Sequence, residues 1–207
     1  MTNETEVRKG KMDRDAWILA ATEILGEEGI AGVRVEVLAK RFGVTKGSFY
    51  WHFKDRQDLL DALLEAWREG RIKDILKQTE AEPGLEAERT RHVIEVYSAA
   101  RNQKGMQIEL ALRDWARRDA ACAAVVAEVD RVRLECAGKL FLAGGYSEQE
   151  ASTRSMLLYA YVFGQSLMSG APPGLDVAAC KARVKDIIAG RPLAQAPAPP
   201  VAESLLR

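Results

Sequence analysis

The sequence predicts an all-α fold, and three observations carry that prediction. The 207 residues include 31 Ala and 21 Leu, both strong helix formers. No segment keeps up the apolar–polar alternation of a half-buried strand. The seven prolines (Pro83, Pro172, Pro173, Pro192, Pro197, Pro199 and Pro200) leave the first 82 residues without a proline. Apolar residues make up 47% of the chain and charged residues 29%, enough for a core and a solvated surface. Lys plus Arg and Asp plus Glu both number 30, so neither low hydrophobicity nor excess charge argues for disorder.

The helices follow in order from apolar spacing and breakers. Asp13 to Glu28 sets Trp17, Ala20, Ala21, Ile24 and Leu25 on one face and stops at Gly29. Val35 to Phe42 is short and closed by Gly43, and a second short helix runs from Thr45 to about Phe53. A long helix over 55–81 carries Leu59, Leu60, Leu63, Leu64, Trp67, Ile72, Ile75 and Leu76 at helical spacing, and Pro83-Gly84 ends it. Further helices are expected near 86–102, 106–117, 119–143, 148–169 and 175–189, with breaks at Gly105, Arg118-Asp119, Gly144-Gly145 and 171–174. Four prolines fall after Arg191, so Pro192 to Val201 reads as a flexible or extended Ala/Pro-rich tail.

Residues 35–53 have the build of a helix-turn-helix. Ala39 is small where two helices cross, and four residues on Gly43 can take the left-handed conformation of a tight turn. Val37, Leu38, Phe42, Val44 and Phe49 supply apolar contacts, and Thr45 is a good N-cap. The next helix opens on Lys46, Gly47 and Ser48, short or polar groups that let its N-terminus enter a major groove. From Lys40 to Arg56, five cations (Lys40, Arg41, Lys46, Lys54, Arg56) face one acid, Asp55, a local excess of +4 in a neutral chain. That is the footprint of a phosphate-facing patch. Tyr50, Trp51 and His52 lie among those cations. The bland alternative is that Tyr50 or Trp51 is simply core. Lys46-Gly47-Ser48 echoes a phosphate-binding loop, but the upstream glycine and the strand it needs are absent.

The run Ala20 to Leu60 resembles the N-terminal domain of TetR-type (tetracycline-repressor-like) transcriptional regulators. The matching residues are Ala20-Ala21, Leu25, Gly29, Val37 to Ala39, Gly43-Val44, Thr45 through Phe53, and Lys54, Asp55, Arg56, Leu59 and Leu60. The resemblance implies a helix-turn-helix DNA-binding domain over 1–54, a ligand-binding and dimerisation domain over 55–190, and a tail over 191–207. It implies a homodimeric repressor of a palindromic double-stranded DNA operator, released by an unidentified small-molecule effector. Carried across, Lys46, Gly47, Ser48 and Trp51 contact base edges, while Thr45, Tyr50, His52 and Lys54 contact phosphates. Trp51 is larger than the family's usual residue there; stacking on sugar, touching a thymine methyl and packing inward all stay open to it.

The C-terminal two-thirds carries no G-x-S-x-G, no H-E-x-x-H and no glycine fingerprint after a strand, so no enzyme is expected. Two histidines and three scattered cysteines propose no metal site, and no cofactor is expected. Met1 to Lys11 is polar and no apolar run nears the roughly 18 residues of a membrane span, so a cytoplasmic chain without membrane contact is expected. Helices 119–143 (Ala123, Val126, Val129, Val132, Leu140) and 148–169 (Leu157, Leu158, Tyr161, Phe163, Gln165, Met168) are the expected dimer pair, by analogy with the family. Pocket candidates are Trp67, Tyr97, Met106, Arg113, Trp115, Phe141 and Tyr159, large or polar groups in apolar helices. The competing readings are a redox-responsive regulator acting through Cys122 or Cys136 and a helical adaptor that binds only protein.

Overall fold

The computed structural model describes residues 13–98, 103–168, 170 and 172–190, and among them every regular element is a helix. In order these are α1 (Arg14–Glu28), α2 (Val35–Arg41), α3 (Lys46–Phe49), α4 (Arg56–Thr79), α5 (Glu86–Ser98), α6 (Gln103–Ala116), α7 (Ala120–Ala143), α8 (Glu148–Leu167) and α9 (Val177–Ala189). None is long and apolar enough to cross a membrane. The expected tail over 191–207 and the segment before Asp13 lie outside the described residues.

The helices divide into two compact units. The first takes in the chain through Lys77 together with Val96–Arg133, and the second Gln78–Glu95 together with the chain from Leu134. In the first unit, α1 starts on Asp13, whose carboxylate accepts from the Ala16 amide at 2.8 Å. It buries Trp17, Ala20, Ala21, Ile24 and Leu25, the predicted face. α6 packs on α1, and Gly26 makes room for it: a Cβ there would come within 2.8 Å of the Ile108 side chain. Lys104 on α6 reaches Glu23 on α1 at 2.6 Å. α4 buries Leu59, Leu60, Leu63, Leu64, Trp67 and Ile75, whereas Leu76, expected on that stripe, is exposed.

A buried ionic cluster ties α4, α6 and α7 together inside this unit. Arg133 donates to both carboxylate oxygens of Glu109, at 2.8 and 2.6 Å, and both side chains are almost fully enclosed. Arg113 and Arg133 share Asp130 at 2.7 and 2.8 Å. Arg71 on α4 stands 3.7 Å from Glu109 and donates to the Tyr97 hydroxyl at 2.8 Å. Burial opposes ionisation of Asp130, but the hydrogen bonds and charges of Arg113 and Arg133 outweigh it and hold the carboxyl below its ordinary range.

The second unit packs Val93 and Ile94 of α5, Ala137, Leu140 and Phe141 of α7, Leu158, Tyr159 and Val162 of α8, and Ile188 of α9. Arg154 on α8 donates to the carbonyls of Ile187 and Ile188, both at 2.7 Å. These are among the carbonyls that the end of α9 leaves without a helical partner.

Four expectations change. The second short helix, expected from Thr45 to about Phe53, is one turn, Lys46–Phe49, and residues 50–52 continue as turn, because the His52 and Phe53 amides both bond the Phe49 carbonyl and tighten the chain there. Gly105 is not a break; α6 begins two residues before it, and a single helical glycine costs only about 1 kcal/mol against alanine. The helix expected over 55–81 ends at Thr79. Of the residues expected at a dimer face, Val126, Val129, Leu140 and Leu158 are core of the chain itself, because they fall on the inward stripes of their helices.

Candidate nucleic-acid interface

The helix-turn-helix is locked from below. Phe49 is fully buried and meets Trp17 edge-on, with ring centres 5.4 Å apart, and stacks on Phe53 at 5.3 Å. Arg14 sets its guanidinium over the Phe53 ring at 4.4 Å and pairs with Asp58 at 3.6 Å, so the first turn of α1 holds the end of the recognition element. Gly43 takes φ +65°, the left-handed turn the sequence predicted, and its neighbour Val44 donates to the Ala39 carbonyl at 3.0 Å.

On this base the outward row is presented. Thr45 is the N-cap of α3: its hydroxyl oxygen accepts from the Ser48 amide at 3.3 Å. Ser48 donates its own hydroxyl to the Thr45 carbonyl at 2.8 Å, which leaves the oxygen free to accept a further bond. Lys46, Gly47, Tyr50 and Lys54 are exposed, and His52 is half-buried. Trp51 is 86% exposed. That removes inward packing as an account of Trp51, and Tyr50 at 62% exposed is not core either. An added Cβ on Gly47 would meet only the Thr45 hydroxyl oxygen, at 3.6 Å; the chain's own packing does not demand a glycine there.

The charge patch is smaller than the sequence count implied. Arg41 is spent on Glu27 in a two-point pair, and the hydrogen bond it donates depresses the Glu27 carboxyl. Arg56 turns back to the carbonyls of Val33 and Ile30, so it pins the α1–α2 turn. Lys40, Lys46 and Lys54 stay exposed, and none pairs with an acid among the described residues. Lys54 lies just before α4; its amide donates to Asp58, while the Asp58 amide donates to Asp55. Arg34, also exposed at the N-cap of α2, adds a cation to this unit from outside the Lys40–Arg56 stretch.

The pocket candidates fall into both units. Trp67, Tyr97, Met106 and Trp115 are buried in the first, and Arg113 belongs to its ionic cluster. Phe141 and Tyr159 are buried in the second. Cys122 is fully buried, and burial followed by the charge of Asp119 pushes its thiol up to about 11. A protonated, enclosed thiol does not react, so the redox reading loses that residue; Cys136 is half-buried.

A one-turn helix over an aromatic base, with a cationic, exposed outer row, completes the build of a helix-turn-helix. Residues 18–63 match the family model described as bacterial regulatory proteins, tetR family. Over 56 residues the chain is 46% identical to the tetracycline repressor protein class C of Escherichia coli, covering 27% of this chain and 26% of that one. It is 38% identical to the HTH-type transcriptional regulator AcrR of Shigella flexneri over 45 residues, covering 22% and 21%. The matched segment spans about a quarter of the length of these curated relatives. Beyond it, the fold continues the likeness. A transcriptional regulator from Rhodococcus sp. Rha1 superposes with a TM-score of 0.67 at 20% identity, over 86% of this chain and 95% of that one. The fatty acid degradation regulator FadR of Bacillus halodurans gives 0.61 at 20% identity, over 88% and 97%. Residues 18–63 are thus the part of the chain that is similar to the tetR family of regulatory proteins, and beyond them the likeness to solved regulators is one of fold.

Proposed function

We propose that this chain is a cytoplasmic, homodimeric repressor that grips a palindromic duplex operator with α3 of each copy and releases it when a small molecule binds in the body. The observation that carries the reading is the outer row of the head. Lys46, Gly47, Tyr50, Trp51 and Lys54 face solvent over a rigid aromatic base, and a glycine stands where the fold does not require one. Lys46, Gly47 and Ser48 take base edges, with Trp51 flat on a sugar or a thymine methyl. Thr45, Tyr50, His52 and Lys54 take phosphates. Residues 1–54 are then the reading domain, and 55–190 the sensing and pairing domain. Several relatives of the matched segment are named tetracycline repressors, which supports the sense of the control.

Pairing is supported by α8. From Ser155 to Met168 the chain holds no charged residue, yet Met156, Leu157, Leu167 and Met168 are between 50% and 76% exposed. A large uncharged surface of that kind is one that a second copy covers. The effector is placed in the first unit, among Trp67, Tyr97, Met106 and Trp115, with Arg113 and its cluster as the polar wall. α4 starts beside Lys54 and runs 24 residues, about 36 Å, so a small tilt at its far end displaces the head. Ligand and DNA then oppose each other reciprocally.

Selection of bound sequences from random duplexes tests the reading, followed by a screen for compounds that release the selected DNA. A palindromic consensus is expected, and at least one releasing compound that binds more weakly when the operator is present. No enrichment, or enrichment without dyad symmetry, would overturn it.

A further inference from the structure

We infer that Arg8, Lys9 and Lys11 form a basic arm that lies in the minor groove of the operator, beside the major groove taken by α3, and favours A·T pairs there. The inference rests on the operator reading above and adds to it a second point of contact with different chemistry.

The sequence supplies the charge. Arg8-Lys9-Gly10-Lys11 places three cations in four residues with no acid among them. Of the acids on either side, Glu6 and Asp13, the second is committed to capping α1, where it accepts from the Ala16 amide at 2.8 Å.

The structure supplies the place. Residues 8–11 precede the described residues, but the point at which the chain enters them is fixed. Arg14, the first residue of α1, donates to the His52 carbonyl at 3.4 Å, sets its guanidinium 4.4 Å from the centre of the Phe53 ring and pairs with Asp58 at 3.6 Å. The other oxygen of Asp58 accepts from the Lys54 amide at 2.9 Å. α1 thus begins beside His52 and Lys54, the residues proposed above to take phosphates. At no more than about 3.6 Å per residue, Lys11 lies within about 11 Å of Arg14 and Arg8 within about 22 Å. Lys11 therefore reaches the phosphate strand that the head grips, and Arg8 reaches the groove on its far side, which is the minor groove.

That groove suits such an arm. It is about 6 Å wide, and a G·C pair puts the guanine amino group into it. A run of A·T pairs leaves it free of that group, narrower and more negative, so that it draws in Arg and Lys side chains. Homeodomains send a basic arm ahead of their first helix into the minor groove in the same way.

The test uses the full chain and the duplex it selects. Arg8, Lys9 and Lys11 are changed together to Ala, and affinity is followed by anisotropy at several salt concentrations, with the melting temperature beside it. The salt slope of log affinity should shrink by about two to three units, since each phosphate neutralised contributes about 0.9, and the melting temperature should hold. A second measurement needs no variant: the A·T pairs flanking the positions read by α3 are exchanged. Replacement by G·C should cost the unmodified chain about fivefold or more. Replacement by inosine·C should cost nothing, because that pair shows the minor groove the pattern of A·T and the major groove the pattern of G·C. The triple variant should bind the three duplexes alike. An unchanged salt slope in the triple variant would overturn the arm, and so would equal losses on G·C and inosine·C, which would place the reading in the major groove. A selection that yields no bound duplex sinks the operator reading and the arm together, whereas a duplex bound equally by both proteins sinks the arm alone.

Discussion

Gly47 and Lys54 separate what the fold needs from what the proposed operator needs. Alanine is the better helix former by up to about 1 kcal/mol, and a Cβ at Gly47 meets nothing closer than 3.6 Å. Gly47→Ala is therefore expected to leave the melting temperature unchanged or raised. Operator affinity should fall, by the ~1–3 kcal/mol of a lost groove contact. Thermal unfolding and fluorescence anisotropy on the same variant check both halves; unchanged affinity would remove Gly47 from the interface. Lys54 is exposed and stands where α4 begins. Lys54→Ala should weaken binding to every duplex alike and reduce the salt slope of log affinity by about one unit, read from titrations at several salt concentrations. A sequence-selective loss would make it a base contact.

Among the elements, the local signals were legible and the distant ones were not. Gly29 as stop and the left-handed Gly43 are written in neighbouring residues, and each took its predicted place, while Asp13, expected as the first residue of α1, is its cap. The extent of α3 was not legible, since it depends on the Phe49 carbonyl taking two amides in a tertiary stack with Trp17. Nor was the fate of Arg41 and Arg56, whose partners Glu27 and Val33 lie 14 and 23 residues back. In the ionic cluster, Glu109 and Arg113 are four apart on one helix and could be paired from sequence alone. Arg133 joins Glu109 across 24 residues and from another helix, which no local pattern announces.

That cluster makes a pH prediction. Asp130 has its folded-state carboxyl below the ordinary 3.8. Its contribution to stability is thus complete above the unfolded-state value and is lost as pH falls through the lower folded-state value. Asp130→Asn should lower the melting temperature at neutral pH and flatten the decline expected on acidification below pH 3.8. Melting curves across that range decide it; parallel declines for both proteins would place the acid sensitivity elsewhere.

For the whole molecule, the proposed reading of a palindrome depends on the proposed pairing. Leu157 and Leu158 are adjacent but answer different questions. Leu158 is fully buried, so a charge there breaks the chain's own core and reports nothing on assembly. Leu157 is 50% exposed, so Leu157→Arg should keep the melting temperature within a few degrees of the unmodified chain. Sedimentation velocity should find it monomeric. A stable dimer from that variant would move the interface off this face of α8.

The most direct measurement of the central claim is the stoichiometry and affinity of the chain on its selected duplex, by sedimentation and anisotropy, beside a duplex carrying one half-site only. Two recognition helices on one dimer must meet grooves about 34 Å apart. The account predicts two chains on the full palindrome and a much weaker complex on the half-site. One chain per duplex, with equal affinity for the full and half sites, would contradict it.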